Sequence, residues 1–251
     1  MAVLLVNFDP LLFLMSCSRL AIALLSNLLL AMLCISLQKM ECFMYYGEKL
    51  NSITHLIGAI LALVGFGVLL TIALEAYHWR IIVGFTVFGL TLIMLYSMST
   101  LYHSFRAPAL KKIFQELDHA SIYLLIAGTY TPYMLLSLEN SDGLLMLAIV
   151  WGLAVVGLCI DLFVEKRIEW LQILIYLAMG WICVFKYSAL QTAIPGDGVL
   201  WLTIGGLAYT IGVIFYVLDG MKKLKHAHGI WHLFVLVGSI SHFISIALYV
   251  R

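Results

Sequence analysis

Two histidines, His228 and His232, sit four residues apart in the stretch AHGIWHLF. On a helix, side chains at i and i+4 lie one above the other on the same face. The same spacing in HExxH helices brings two imidazoles to one zinc ion. A third imidazole from elsewhere in the chain would complete a three-histidine site. Catalytic zinc keeps three protein ligands and leaves its fourth position open. His103, in STLYHSF, is the natural third ligand. Asp118, in QELDHASIY, is placed to serve as general base for a water activated at such a metal. Ser99 stands one turn before His103 and faces the same way, so it can orient that water or the ligand. The bland alternative is that these histidines snorkel at a membrane boundary or hydrogen-bond to loops.

Other polar residues fall near the same set. Glu48, Asn51 and His55 share a helix face, at spacings of three and four, and either cap their helix or support the site from behind. His242 lies fourteen residues past His228 and returns to nearly the same face at about 100° per residue. At 1.5 Å rise per residue it sits about 15 Å deeper than the histidine pair, too far to share its metal, so it is expected to line the interior. His119 is expected to point away from Asp118 into the interface. His78 reads as a loop residue and His226 as solvated. The five cysteines are scattered and none forms CxxC, which excludes a disulfide framework and a cysteine metal site.

The elements that must position these groups are membrane helices. The chain has 251 residues, of which 64% are hydrophobic and 11% charged. A soluble domain is about 45–50% apolar and about 25% charged. The mean hydropathy is +1.07, and the reading is an integral, multi-pass membrane protein. The formal net charge of +1, without a basic tail, argues against a nucleic-acid partner. Seven stretches have the ~20 apolar residues that a span needs: roughly 51–75, 80–102, 119–138, 143–163, 169–190, 198–218 and 229–250. They are too long for barrel strands, and lipid tolerates no unpaired backbone, so each must be a helix. The predicted fold is all-α, a seven-transmembrane-helix bundle over residues 44–251. Gly205, Gly206 and Gly212 are expected to let the sixth span approach a neighbour closely. Pro132, in GTYTPY, is expected to kink the third.

Residues 1–43 form a separate hydrophobic extension. The run LAIALLSNLLLAMLCISL (20–37) is nearly long enough to span. It reads either as an eighth helix or as the product of a mis-assigned start, since Met40 and Met44 lie just ahead of the better-organised chain.

Lysine and arginine set the expected orientation. The N-terminal flank and the connections after spans 2, 4 and 6 hold Lys39, Lys49, Arg106, Lys111, Lys112, Lys166, Arg167, Lys222, Lys223 and Lys225. The opposite side holds Arg80, Lys186 and Arg251. The bias puts the metal site towards the cytoplasm and the C-terminus outside. With that topology four different spans bring His55, His103, Asp118 and the His228–His232 pair to one leaflet.

Together EKLNSITH, SMSTLYH, LDHASIYLLIAGTYTP, YLAMGW and HGIWHLFVL resemble the haemolysin III proteins, the bacterial branch of the progestin and adiponectin receptor (PAQR) family. The resemblance runs from about Glu48 to Val250. It implies seven helices with a zinc ion near the cytoplasmic face of the bacterial inner membrane. It implies His103, His228 and His232 as ligands, with Asp118 holding the water and Ser99 beside it. The receptor relatives hydrolyse ceramide, and bacterial members are linked to membrane-fluidity homeostasis.

Three functions are therefore in view. The first is a zinc-dependent hydrolase cleaving an amide or ester bond in a membrane lipid. The second is a lipid or fluidity sensor that keeps zinc for structure. The third is a pore-forming cytolysin. The sequence argues against the third, because the polar groups gather at one end and no span carries a continuous polar stripe.

Overall fold

Short connections between long apolar runs leave the chain little choice but to turn back at each membrane face. The computed structural model describes residues 47–138, 142–164 and 167–250. The expectations for residues 1–43 lie outside the described residues. Among the described residues there are seven long helices: α1 (Lys49–Ala76), α2 (Trp79–Ser104), α3 (Pro108–Pro132), α4 (Gly143–Phe163), α5 (Glu169–Ala193), α6 (Gly196–Gly220) and α7 (Ala227–Tyr249). Six of them are long and apolar enough to cross a membrane; α3 is the seventh. The chain is an all-α polytopic membrane protein. Large apolar side chains such as Val64, Leu144 and Phe185 face outward. In water such a surface would aggregate; in lipid it is the surface required.

The third helix departs from expectation at both ends. It begins at Pro108, well before residue 119. Proline is preorganised for the first helical turn and loses no hydrogen bond there. The early turns carry Lys111, Lys112 and Glu116, which is why the apolar pattern starts late. Asp118 therefore sits inside the helix rather than at its start. At the other end Pro132 is the last α-helical residue, and Tyr133–Ser137 follow as a π-helical turn. The Leu138 amide donates to the Tyr133 carbonyl at 3.1 Å, the wide i→i+5 pattern. In α5, a 3-10 turn at Ile182–Lys186 interrupts the span. The Tyr130 hydroxyl pins it from α3, donating to the Gly180 carbonyl at 3.0 Å and accepting from the Cys183 amide at 2.9 Å.

Close approach is bought with glycine, though only partly where the sequence led one to look. A Cβ on Gly205 would lie 2.2 Å from the His242 ring, and one on Gly212 2.8 Å from Trp231, so both glycines seat α6 on α7. Gly206 does not: nothing lies within 4 Å of its Cβ position, and it faces a cavity. Gly58 of α1 instead meets the Tyr96 ring of α2, and Gly229 of α7 meets Leu50 and Asn51 of α1. α1, α2 and α3 pack tightly in sequence, α6 pairs with α7, and α7 returns to α1. α2 is the most buried span and α5 the least. Between α5 and the rest runs a long cavity.

Candidate metal centre

Three imidazoles meet at the end of the bundle where α2 finishes and α7 begins. His103 ends α2; His228 and His232 occupy the first turns of α7. Their ring centroids are 4.9 Å apart for His103 and His232, 5.0 Å for His103 and His228, and 4.8 Å for the α7 pair. One nitrogen from each lies within 4.8 Å of the others. His103 and His232 are fully buried and His228 partly so.

Each ring is held from behind by an acceptor. His103 Nδ1 donates to the Glu48 carboxylate at 2.6 Å. His228 Nδ1 donates to Asp219 at 3.1 Å. His232 Nδ1 donates to the Asn51 carbonyl at 3.0 Å. A carboxylate or carbonyl can only accept, so all three rings carry their proton on Nδ1 and keep an unshared pair on Nε2. This is the arrangement that orients metal-binding histidines. His103 Nε2 is buried without a hydrogen-bond partner, a cost that a metal ion would remove. The donor set therefore fits a divalent metal.

Glu48 is itself anchored just outside α1. Asn51 donates to it at 2.9 Å, and the Lys111 ammonium of α3 lies 3.5 Å away. Burial alone would raise its carboxyl. The hydrogen bonds from His103 and Asn51 and the charge of Lys111 outweigh burial and bring it below the usual carboxylate range. Glu48 is thus ionised at neutral pH and strengthens the basicity of His103.

The remaining candidates divide. Asp118 and Ser99 are buried and face one another at the mouth of the cavity, beside His228 and His232. The Ser99 hydroxyl is buried, with the Asp118 carboxyl as its polar neighbour. Glu48 and Asn51 make no capping hydrogen bond to α1 and support the histidines instead. His55 stacks on His232, with centroids 3.5 Å apart and planes 8° from parallel, and meets Tyr96 edge-on. Both its ring nitrogens are buried and unpartnered. His242 lines the cavity deeper down. His119 is not left at the interface: it too lines the cavity, with its Nδ1 buried. His226 and His78 are exposed helix caps. Asp219, the partner of His228, went unnoticed in the sequence. The signal was an acidic residue in the last turn of a span, nine residues before His228.

The cavity extends from this centre along α3 and the π-helical turn after it, from Asp118 to Met134, and along α5, from Ile173 to Leu190. Its walls are overwhelmingly apolar.

The fold and the site together define a polytopic helical membrane protein with a three-histidine centre at one end of an apolar cavity. A family model for haemolysin-III related proteins matches residues 43–243. The chain belongs to the haemolysin III family. It is 41% identical over 203 residues to Hemolysin-3 of Bacillus cereus, covering 81% of this chain and 91% of that one. It is 40% identical over 202 residues to a Hemolysin-3 homolog of Bacillus subtilis, 80% and 93% covered. A more distant relative is the human Monocyte to macrophage differentiation factor, 28% identical over 206 residues, 80% and 83% covered. No solved structure matches the chain.

Proposed function

We propose that this protein is a zinc-dependent hydrolase of a lipid amide or ester, acting in membrane lipid homeostasis in the bacterial inner membrane. One observation carries the reading: three Nε2 lone pairs converge beside a buried carboxyl and a buried hydroxyl, at the mouth of an apolar cavity. A purely structural zinc would be closed by a fourth protein ligand. Among the described residues the metal-binding cluster holds three.

His103, His228 and His232 would hold the ion. When bound, it supplies a Lewis acid that polarises a carbonyl and acidifies water. The acyl chain lies in the cavity between α3, α5 and α6, which excludes water from all but the mouth. α5, the least buried helix, is the wall that yields to a lipid entering from the side. Ser99 orients the attacking water. Asp118 takes its proton at a carboxylate oxygen as the new C–O bond forms, and returns that proton to the leaving nitrogen or oxygen as the old bond breaks.

The test is metal content and turnover together. Elemental analysis of purified protein is expected to give about one zinc per chain, lost when His228 and His232 are both changed to alanine. Asp118→Asn should keep the zinc and lose hydrolysis of a ceramide or acyl-ester probe. Metal-free wild-type protein, after zinc is added back, would overturn the reading. A full metal load with no turnover on any lipid would favour the sensor, in which zinc only ties α2 to α7.

A further inference from the structure

The cavity does not end at the metal centre, and it is not uniformly apolar. The polar groups on its wall beyond the mouth are mostly spoken for. Thr129, Thr203 and Thr210 each donate to a backbone carbonyl one turn back in their own helix. The Tyr130 hydroxyl is bonded to α5, and the Tyr209 hydroxyl to Ser239 at 2.7 Å. Two groups remain.

The first is His242. It is 8% exposed and lines the cavity. Its Nε2 lies 3.2 Å from the Leu202 carbonyl of α6. The carbonyl accepts, so Nε2 carries the proton and Nδ1 keeps a lone pair. Among the described residues its ring makes that hydrogen bond through Nε2, which leaves Nδ1 turned to the cavity that the ring lines. The ring lies against Gly205, in space that a Cβ at that position would take. The second is Tyr133, 3% exposed and also on the cavity wall. Its hydroxyl is buried and makes no hydrogen bond. It lies beside Ser245, three residues beyond His242 on α7. An acceptor and a donor thus stand on the wall of one largely apolar cavity.

Leaving such groups unmet in a lipid-filled space costs free energy. A hydroxyl satisfies both, since it donates and accepts. We propose that His242 and Tyr133 form a second polar site, which receives a hydroxyl carried on the hydrocarbon chain of the ligand. His242 lies ten residues past His232, about 15 Å at 1.5 Å per residue. An extended chain advances about 1.2 Å per bond, so the hydroxyl belongs roughly a dozen bonds from the group at the metal centre. The ligand class is an acyl chain hydroxylated near its middle. The inference rests on the reading that a lipid chain fills the cavity with its carbonyl end at the metal centre.

The test compares 12-hydroxystearate with stearate on the purified, zinc-loaded protein, by direct titration in detergent. Wild type is expected to bind the hydroxylated acid about 25-fold more tightly, about fivefold for each of the two added neutral hydrogen bonds. 3-Hydroxystearate, with its hydroxyl at the wrong level, should bind no better than stearate. His242→Phe keeps the ring volume and should bind stearate normally while losing the preference. Should that variant fail to fold, Tyr133→Phe carries the test and is expected to reduce the preference. Equal binding of the two acids by wild type overturns this inference and leaves the cavity reading intact. An undiminished preference in His242→Phe, or in Tyr133→Phe if that variant carries the test, also overturns it. Failure of the protein to bind either acid removes both.

Discussion

At the scale of single residues, the centre depends on what stands behind the histidines. His103 bonds a carboxylate, His232 a backbone carbonyl and His228 a carboxylate, all through Nδ1. Glu48 is the most buried of the two carboxylates and the better anchored, so it should matter most. Glu48→Gln keeps an acceptor of the same shape and removes the charge. The metal dissociation constant, measured by competition with a chromophoric chelator, is expected to rise about 10–100-fold. An unchanged constant would reduce Glu48 to a surface ion pair. The spacing His228-x3-His232 made two members of the cluster legible in sequence, because i and i+4 must share a face. His103 could be joined to them only through topology. The backbone carbonyl of Asn51 could not be read at all, since every residue has one and only the packing of α7 on α1 selects it.

At the scale of elements, helix positions followed from hydropathy, and the departures have physical causes. The charged turns of α3 hid its true start at Pro108, because lipid-facing apolarity is a property of depth and not of helicity. The π-helical turn after Pro132 is the local answer to a missing amide. Glycine contacts were half legible: composition shows where small residues lie, but not which face meets a neighbour. A paired substitution checks this. A methyl at Gly58 would lie 2.4 Å from the Tyr96 ring, which is buried, donates to Ser239 and rests on His55. Gly58→Ala should therefore cost about 1–3 kcal/mol by overpacking. Gly206→Ala meets nothing and should be neutral or stabilising by up to about 1 kcal/mol, since alanine is the better helix former. Thermal unfolding in detergent would rank them; equal effects would remove the distinction between the two faces.

At the scale of the whole molecule, the metal centre lies at the end of the bundle where the basic connections collect. Lys49, Arg106, Lys111, Lys112, Arg167, Lys222, Lys223 and Lys225 surround that end, against Arg80 and Lys186 at the other. The positive-inside rule then predicts a centre open to the cytoplasm. A protease-cleavable tag at the C-terminus should be removed from intact spheroplasts. A protected tag would invert the topology and place the chemistry outside. The order of the helices adds a consequence for how the protein is made. α2 carries one of the three histidines; the other two arrive with α7, which leaves the ribosome long after it. The three imidazoles cannot meet until α7 has been threaded and docked on α1. A nascent chain that stalls before α7, or inserts the α6–α7 hairpin the wrong way round, never brings the three imidazoles together.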